Sequence, residues 1–235
     1  MKIAKIEVKK FAIHRKNKLK LRSYRMKLLF DVENKVNYDK IDKNTTVKNI
    51  LDEIDIFLNH NPLDCDKCEE SCCKKSWSVE MDNICVNKLS NWNDEVALEF
   101  VEKKLVKKRN YYRDFDQYVL NKKTDCNFIT ETNLCTIYED RPIICRLYIC
   151  SEKSYRYNVI RELIGSTYLK ALIYEEKIRN NNFTKETTDK YKKNPAVFAK
   201  DYNILLEEIF DYSEYEGWLD IDEREELYKE IILKP

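Results

Sequence analysis

The sequence predicts a mainly α-helical fold: a single helical domain interrupted by two irregular cysteine-rich loops, with a small β-hairpin at the N-terminus. Three observations predict it. The chain has 235 residues but only two glycines, Gly165 and Gly217, and four prolines. A β-sandwich or a glycine-rich nucleotide-binding fold needs more turn residues than that. Long stretches carry apolar residues at three- and four-residue spacing, the period of a helix with one buried face. The nine cysteines crowd instead into stretches without a sustained period. A composition of 43% hydrophobic and 36% charged residues fits a globular chain with an ordinary core. The length fits one large domain, or one domain with an appended piece.

Taken in order, Ala4, Ile6 and Val8 alternate with Lys5, Glu7 and Lys9, the two-residue period of a short strand. Leu19, Leu21 and the stretch from Met26 to Val32 supply a second strand to pair with it, and any sheet is expected within the first 35 residues or so. Val47, Ile50, Leu51, Ile54, Phe57 and Leu58 then recur at helical spacing behind Thr45 or Thr46 as N-cap. That helix ends before Asn61-Pro62, because proline pushes the preceding residue out of the α region. From Leu63 to Leu89 the chain is cysteine-rich and aperiodic. Trp92, Val96, Phe100, Val101, Leu105, Tyr112, Phe115 and Val119 mark one long amphipathic helix. A second cysteine-rich stretch runs from Asp125 to Ser151. Ile160, Leu163, Ile164, Tyr168, Ala171 and Leu172 form another helical stripe, with Gly165 inside it. Leu205, Leu206, Ile209 and Phe210 follow Pro195, and Leu227, Tyr228, Ile231 and Ile232 follow an Asp222/Glu225 capping box. There is no internal repeat and no low-complexity linker. This divides the chain into a basic N-terminal extension over 1–60, a cysteine core over 61–152, and C-terminal helices over 153–235.

Net charge is +1, but it is unevenly spread. Residues 1–30 hold eleven Lys or Arg against Glu7 alone, and residues 201–235 hold twelve acids against Arg224, Lys229 and Lys234. The bland reading is two solvated faces that attract each other. The sharper one is a nucleic-acid or anionic-partner arm, for which no aromatic-interleaved motif speaks. No apolar run reaches the roughly 18 residues of a membrane span. No apolar segment follows the basic start as in a secretory signal. A cytoplasmic protein is expected, and in that compartment clustered cysteines are more often metal ligands or redox groups than structural disulfides.

Cys65, Cys68, Cys72 and Cys73 fall within nine residues, and Cys126, Cys135, Cys145 and Cys150 within twenty-five. The two-residue gap between Cys65 and Cys68 lets one turn of backbone aim both sulfurs at a single ion. Several thiolates brought together without a cation would cost several kcal/mol of repulsion. Against this stands the reading of buried, inert cysteines, which the adjacent Cys72 and Cys73 oppose: neighbouring side chains do not readily enter one apolar core together. Cys85 lies outside both clusters and reads as a core cysteine.

With these residues in view, the chain resembles the zinc- or iron-chelating cysteine-cluster family, the YkgJ-like group that includes flagellin lysine N-methylases. The family pattern Cys-x2-Cys-x3-Cys-Cys is met by Cys65, Cys68, Cys72 and Cys73. Its downstream segment is met by Cys126, Cys135, Ile137, Tyr138, Arg141, Pro142, Cys145, Arg146 and Cys150. The resemblance covers about residues 60–152.

All-thiolate sites suit zinc or iron–sulfur centres. Glu69 stands where zinc knuckles commonly use glycine, and vicinal Cys72 and Cys73 suit a polynuclear centre or a split between two sites, so an iron–sulfur cluster is favoured over zinc. Arg141 and Arg146 are read as offsetting thiolate charge or bonding Asp140 and backbone carbonyls, or else as holding an anionic substrate. Tyr138 is a packing residue or a donor to a sulfur. His14 and His60 stand alone in sequence and are not expected to be ligands.

Three roles follow as expectations. The first is a metal or iron–sulfur module for binding, storage or electron transfer. The second, implied by the resemblance, is a protein lysine N-methylase using S-adenosylmethionine and acting on a protein substrate. No glycine-rich strand-turn-helix of the usual methyltransferase type accompanies it, and no catalytic residue can be assigned. The third is a nucleic-acid-associated zinc protein using the basic arm.

Overall fold

The fold was analysed in a computed structural model, which describes residues 26–39, 41–42, 44–61, 73–74, 78–111, 113–121, 125–132, 134–182, 184–216 and 218, with 222, 225, 226 and 229. The expected strand at Ala4–Val8 and its partner residues Leu19 and Leu21 lie outside them. Strand β1 (Leu28–Phe30) pairs antiparallel with β2 (Val36–Tyr38), Leu28 opposite Tyr38 and Phe30 opposite Val36. So the Met26–Val32 stretch does form a strand, with its partner after it in the chain. The turn between them is built by the Asp31 carboxylate, which accepts from the backbone N–H groups of Glu33 and Lys35 at 2.9 and 3.0 Å. Asn34 takes the left-handed conformation there, at φ 60°, a region that asparagine tolerates.

Helix α1 (Val47–His60) starts as its sequence predicts. Thr46 accepts from the Asn49 backbone N–H, and the Asn49 side chain accepts from that of Thr46, a closed capping box. Val47, Ile50, Leu51, Ile54 and Phe57 form its buried stripe. A second helix, α2 (Asn83–Leu89), lies where the sequence shows no period. It is two turns long and buried at five consecutive positions, Asn83 to Asn87, so it has no polar face to produce one.

The expected long helix from Trp92 to Val119 is two elements. Helix α3 (Asp94–Lys104), capped by Asn93, gives way directly to β3 (Leu105–Asn110), which pairs antiparallel with β4 (Phe115–Leu120). A second sheet therefore lies well beyond residue 35, where none was expected. Trp92 precedes the helix, in a turn with Asn91, and both have positive φ. The strand escapes a periodicity reading because Tyr118, Val119 and Leu120 are all buried. β4 lies against α5 on one side and meets Glu80 through a bridge to Val119. Alternation is lost when both faces are covered.

A short helix α4 (Ile143–Arg146) follows the second cysteine stretch, and α5 (Tyr155–Arg179), capped by Ser154, runs for 25 residues. α5 is the axis of the molecule. Ile164 to Leu169 are buried without a break, so this part of the helix is enclosed on every side. On one side α5 packs with α1, α4 and α7 (Leu206–Tyr215); on the other, with α2, α3 and the β3–β4 hairpin. Polar α6 (Lys185–Lys193) connects α5 towards α7. Seven α-helices and two small hairpins among the described residues make the fold mainly helical, as predicted. Of the last expected helix, Asp222, Glu225, Glu226 and Lys229 are helical, and Leu227, Tyr228, Ile231 and Ile232 lie outside the described residues. Among the described residues no helix is long and apolar enough to cross a membrane.

Candidate metal centre

Of the eight cysteines singled out in sequence, Cys65, Cys68 and Cys72 lie outside the described residues, and the other five are placed. The first loop emerges at Cys73, whose carbonyl accepts the backbone N–H of Cys126 at 2.7 Å. The two loops therefore meet backbone to backbone. From Cys126 the chain folds into a tight reversal: Ile129 bridges Cys135, Thr136 N–H donates to Phe128 at 2.8 Å, and Thr130 N–H donates to Leu134 at 2.8 Å. Cys126, Phe128 and Ile137 pack onto the core cluster that contains Cys85. Burial pushes the Cys135 thiol up; the Ile137 N–H lowers it, the Cys126 charge raises it, and the Arg141 guanidinium lowers it. Cys126 and Cys135 thus sit within electrostatic reach of each other.

A 3-10 turn at Tyr138–Asp140 leads to Arg141-Pro142 and then α4. Cys145 is half-buried in this short helix, and its N–H donates to the Pro142 carbonyl at 2.9 Å. Cys150 is exposed beyond it, near Lys153. That segment is stitched to the N-terminal hairpin: Val36 N–H donates to Glu152 at 2.8 Å, and Ser154 N–H to Val36 at 2.9 Å.

The two arginines make a different contact from the one expected. Asp140 is taken by Lys88 at 2.7 Å, while Arg141 and Arg146 converge on Asp55 of α1, at 3.4 and 3.8 Å. Arg141 also lies over the Tyr138 ring, 4.1 Å from its centroid, and Arg146 over that of Tyr202 at 5.2 Å. Among the described residues two cations share one carboxylate, which leaves a surplus positive charge beside Cys145 and suits an anionic thiolate cluster. Asp55 escapes sequence reasoning because Asp52 and Glu53 stand beside it on the same helix; only its place near the end leading into the first loop is suggestive. His60 contacts the Ile56 carbonyl of its own helix through Nδ1 at 2.8 Å, and His14 lies outside the described residues.

Cys85 is fully buried, in the cluster of Met81, Val86, Leu120 and Leu172. Burial pushes its thiol well above the usual range, helped by the charges of Asp82, Cys145 and Asp140. Asp82, also fully buried, was not singled out in sequence, although an Asp before Asn83-Ile84 is a recognisable N-cap signal. Its carboxylate is raised by desolvation, against hydrogen bonds from Ile143, Cys85 and Tyr202 that lower it.

Among the described residues no group of three His, Cys, Asp or Glu side chains is arranged to hold a metal ion. The donor chemistry nevertheless fits zinc or iron: the loops that meet at Cys73 and Cys126 offer soft sulfur ligands beside excess guanidinium charge.

Residues 64–163 match the CxxCxxCC family, described as "putative zinc- or iron-chelating domain". No curated protein and no solved structure matches the chain.

Proposed function

We propose that residues 64–163, which match the zinc- or iron-chelating CxxCxxCC family, form a metal-binding module in which Cys65, Cys68, Cys72, Cys73, Cys126, Cys135, Cys145 and Cys150 together hold an iron–sulfur centre. The observation that carries this reading is the 2.7 Å bond between the Cys126 N–H and the Cys73 carbonyl. It joins the end of one cysteine loop to the start of the other across more than fifty residues of sequence, as a shared centre requires. When bound, such a centre supplies one-electron chemistry at a potential set by its charge and its hydrogen bonds. The chain's own residues provide the thiolates, the surplus charge of Arg141 and Arg146, and the apolar floor of Phe128 and Ile137. Adjacent Cys72 and Cys73 favour iron–sulfur over a single tetrahedral zinc. Tyr138, under Arg141, holds that guanidinium in place.

The role that fits is a metal-holding or electron-transfer module. Anaerobic purification followed by iron, sulfide and zinc analysis tests it. Iron with matching sulfide, and visible absorption that bleaches on reduction, is the expected result. Colourless protein with stoichiometric zinc would replace the iron–sulfur assignment, and metal-free protein would remove the reading altogether.

A further inference from the structure

The short helix that carries Cys145 is gripped at both ends by one buried ring of contacts. At its start, the Ile143 backbone N–H donates to Oδ2 of Asp82 at 2.6 Å. Oδ1 of the same carboxylate accepts the Cys85 N–H at 3.0 Å, capping α2, and the Tyr202 hydroxyl at 3.2 Å. At the end of the helix, Arg146 lies over the ring of that same tyrosine, 5.2 Å from its centroid. The circuit runs Asp82, Ile143, Arg146, Tyr202 and back to Asp82, with Cys145 inside the gripped helix. A four-residue helix has too little intrinsic stability to hold an orientation alone. Its direction must be imposed from outside, and a fully buried carboxylate that spends one oxygen on it does so.

We propose that Asp82, with Tyr202, is the positioning group of the metal centre: it fixes the Cys145 helix against α2, so that the Cys145 sulfur is presented before metal arrives. Cys85 N–H and Ile143 N–H share one anchor, so the core cysteine's helix and the ligand cysteine's helix move as a unit. The proposal rests on the assignment of Cys145 as a ligand. Outer partners that orient a ligand typically change metal affinity about 10- to 100-fold when removed.

Asp82→Asn is a selective lesion. Whichever way its amide turns, an NH2 group faces one of the two backbone N–H groups, of Ile143 or Cys85, that the carboxylate ties together. Tyr202→Phe is the milder second variant, keeping the ring beneath Arg146 and removing one bond to the carboxylate. Val101→Ala is the control for lost stability; it truncates a buried side chain of α3 that lies outside the cluster containing Tyr202 and Ile143. Two quantities are measured: metal affinity by chelator competition, and the alkylation rate of each cysteine in metal-stripped protein by peptide mapping. Asp82→Asn should weaken metal binding by about tenfold or more, and should accelerate Cys145 alkylation severalfold relative to Cys126. Tyr202→Phe should move both in the same direction by less, and Val101→Ala neither. Unchanged Cys145 reactivity in Asp82→Asn, or an equal change in Val101→Ala, overturns the proposal. Wild-type protein that binds no metal refutes instead the reading beneath it, a result that the alkylation rates do not affect.

Discussion

The thiols of Cys85 and Cys135 differ in what surrounds them. Around Cys85 are Met81, Val86 and Leu172, with Asp82 as the strongest nearby charge. Both burial and that charge disfavour the thiolate, so the thiol stays protonated where an ordinary cysteine, with a pKa of about 8.5, ionises. Native protein should therefore show no rise in Cys85 alkylation as the pH passes through about 8.5, with labelling appearing only on denaturation. Cys135 is half-buried, and burial holds its pKa above the usual range, with the Arg141 cation pulling in the opposite direction. The sign of an arginine deletion follows. In metal-stripped protein, Arg141→Gln removes the stabilising charge, raises the Cys135 pKa, lowers its thiolate fraction near neutral pH and slows its alkylation. Faster alkylation of Cys135 in that variant would contradict the placement of Arg141.

At the level of elements, local chemistry accounts for α1, and tertiary cover accounts for the hairpin. The Thr46 capping box and the stripe from Val47 to Phe57 are written in consecutive residues, so both ends of α1 were legible in the sequence. Thr46→Ala should cost about 1 kcal/mol by denaturant titration. The β3–β4 hairpin is held by partners far along the chain. Arg113, beside its turn, bonds Glu80 and Glu162 at 2.8 Å each and Gln117 at 3.2 Å. Its side chain is 13% exposed. Arg113→Met should cost roughly 2–3 kcal/mol, less than the 3–5 of a fully enclosed pair, because Glu162 remains open to water. A change below about 0.5 kcal/mol, typical of a surface substitution, would place this network on the surface instead. No residue near 113 announces Glu162, and Leu105, Tyr112, Phe115 and Val119 keep a helical spacing where the strands show no alternation. The cysteine spacing, by contrast, marked both stretches in the sequence, and at their described ends the Cys126 N–H meets the Cys73 carbonyl. The arginine partner was not: Asp140 is adjacent in sequence, but the 3-10 turn directs it to Lys88 and leaves Asp55 to receive both guanidinium groups.

For the whole molecule, α5 joins two apolar clusters, and the second cysteine stretch touches both: Cys126, Phe128 and Ile137 pack on one, Ile143, Leu147 and Ile149 on the other. Leu172 is fully buried in the cluster beneath Cys126 and Phe128. Its truncation to Ala should cost about 2–5 kcal/mol while leaving metal stoichiometry in the folded fraction unchanged, because it removes packing and no ligand. The first cysteine loop carries few apolar side chains besides Leu63, Trp77 and Val79, so its order should depend on metal–sulfur bonds, which contribute folding free energy because the unfolded chain has no preformed site. The most direct test of the eight-cysteine centre compares three substitutions that remove the same atom. Metal content and melting temperature are measured together for Cys68→Ala, Cys145→Ala and Cys85→Ala, all purified anaerobically. The account predicts that the first two lower both quantities, and that Cys85→Ala keeps its metal and loses only about 1 kcal/mol of packing. Loss of metal from Cys85→Ala, with full occupancy in Cys68→Ala and Cys145→Ala, would contradict it.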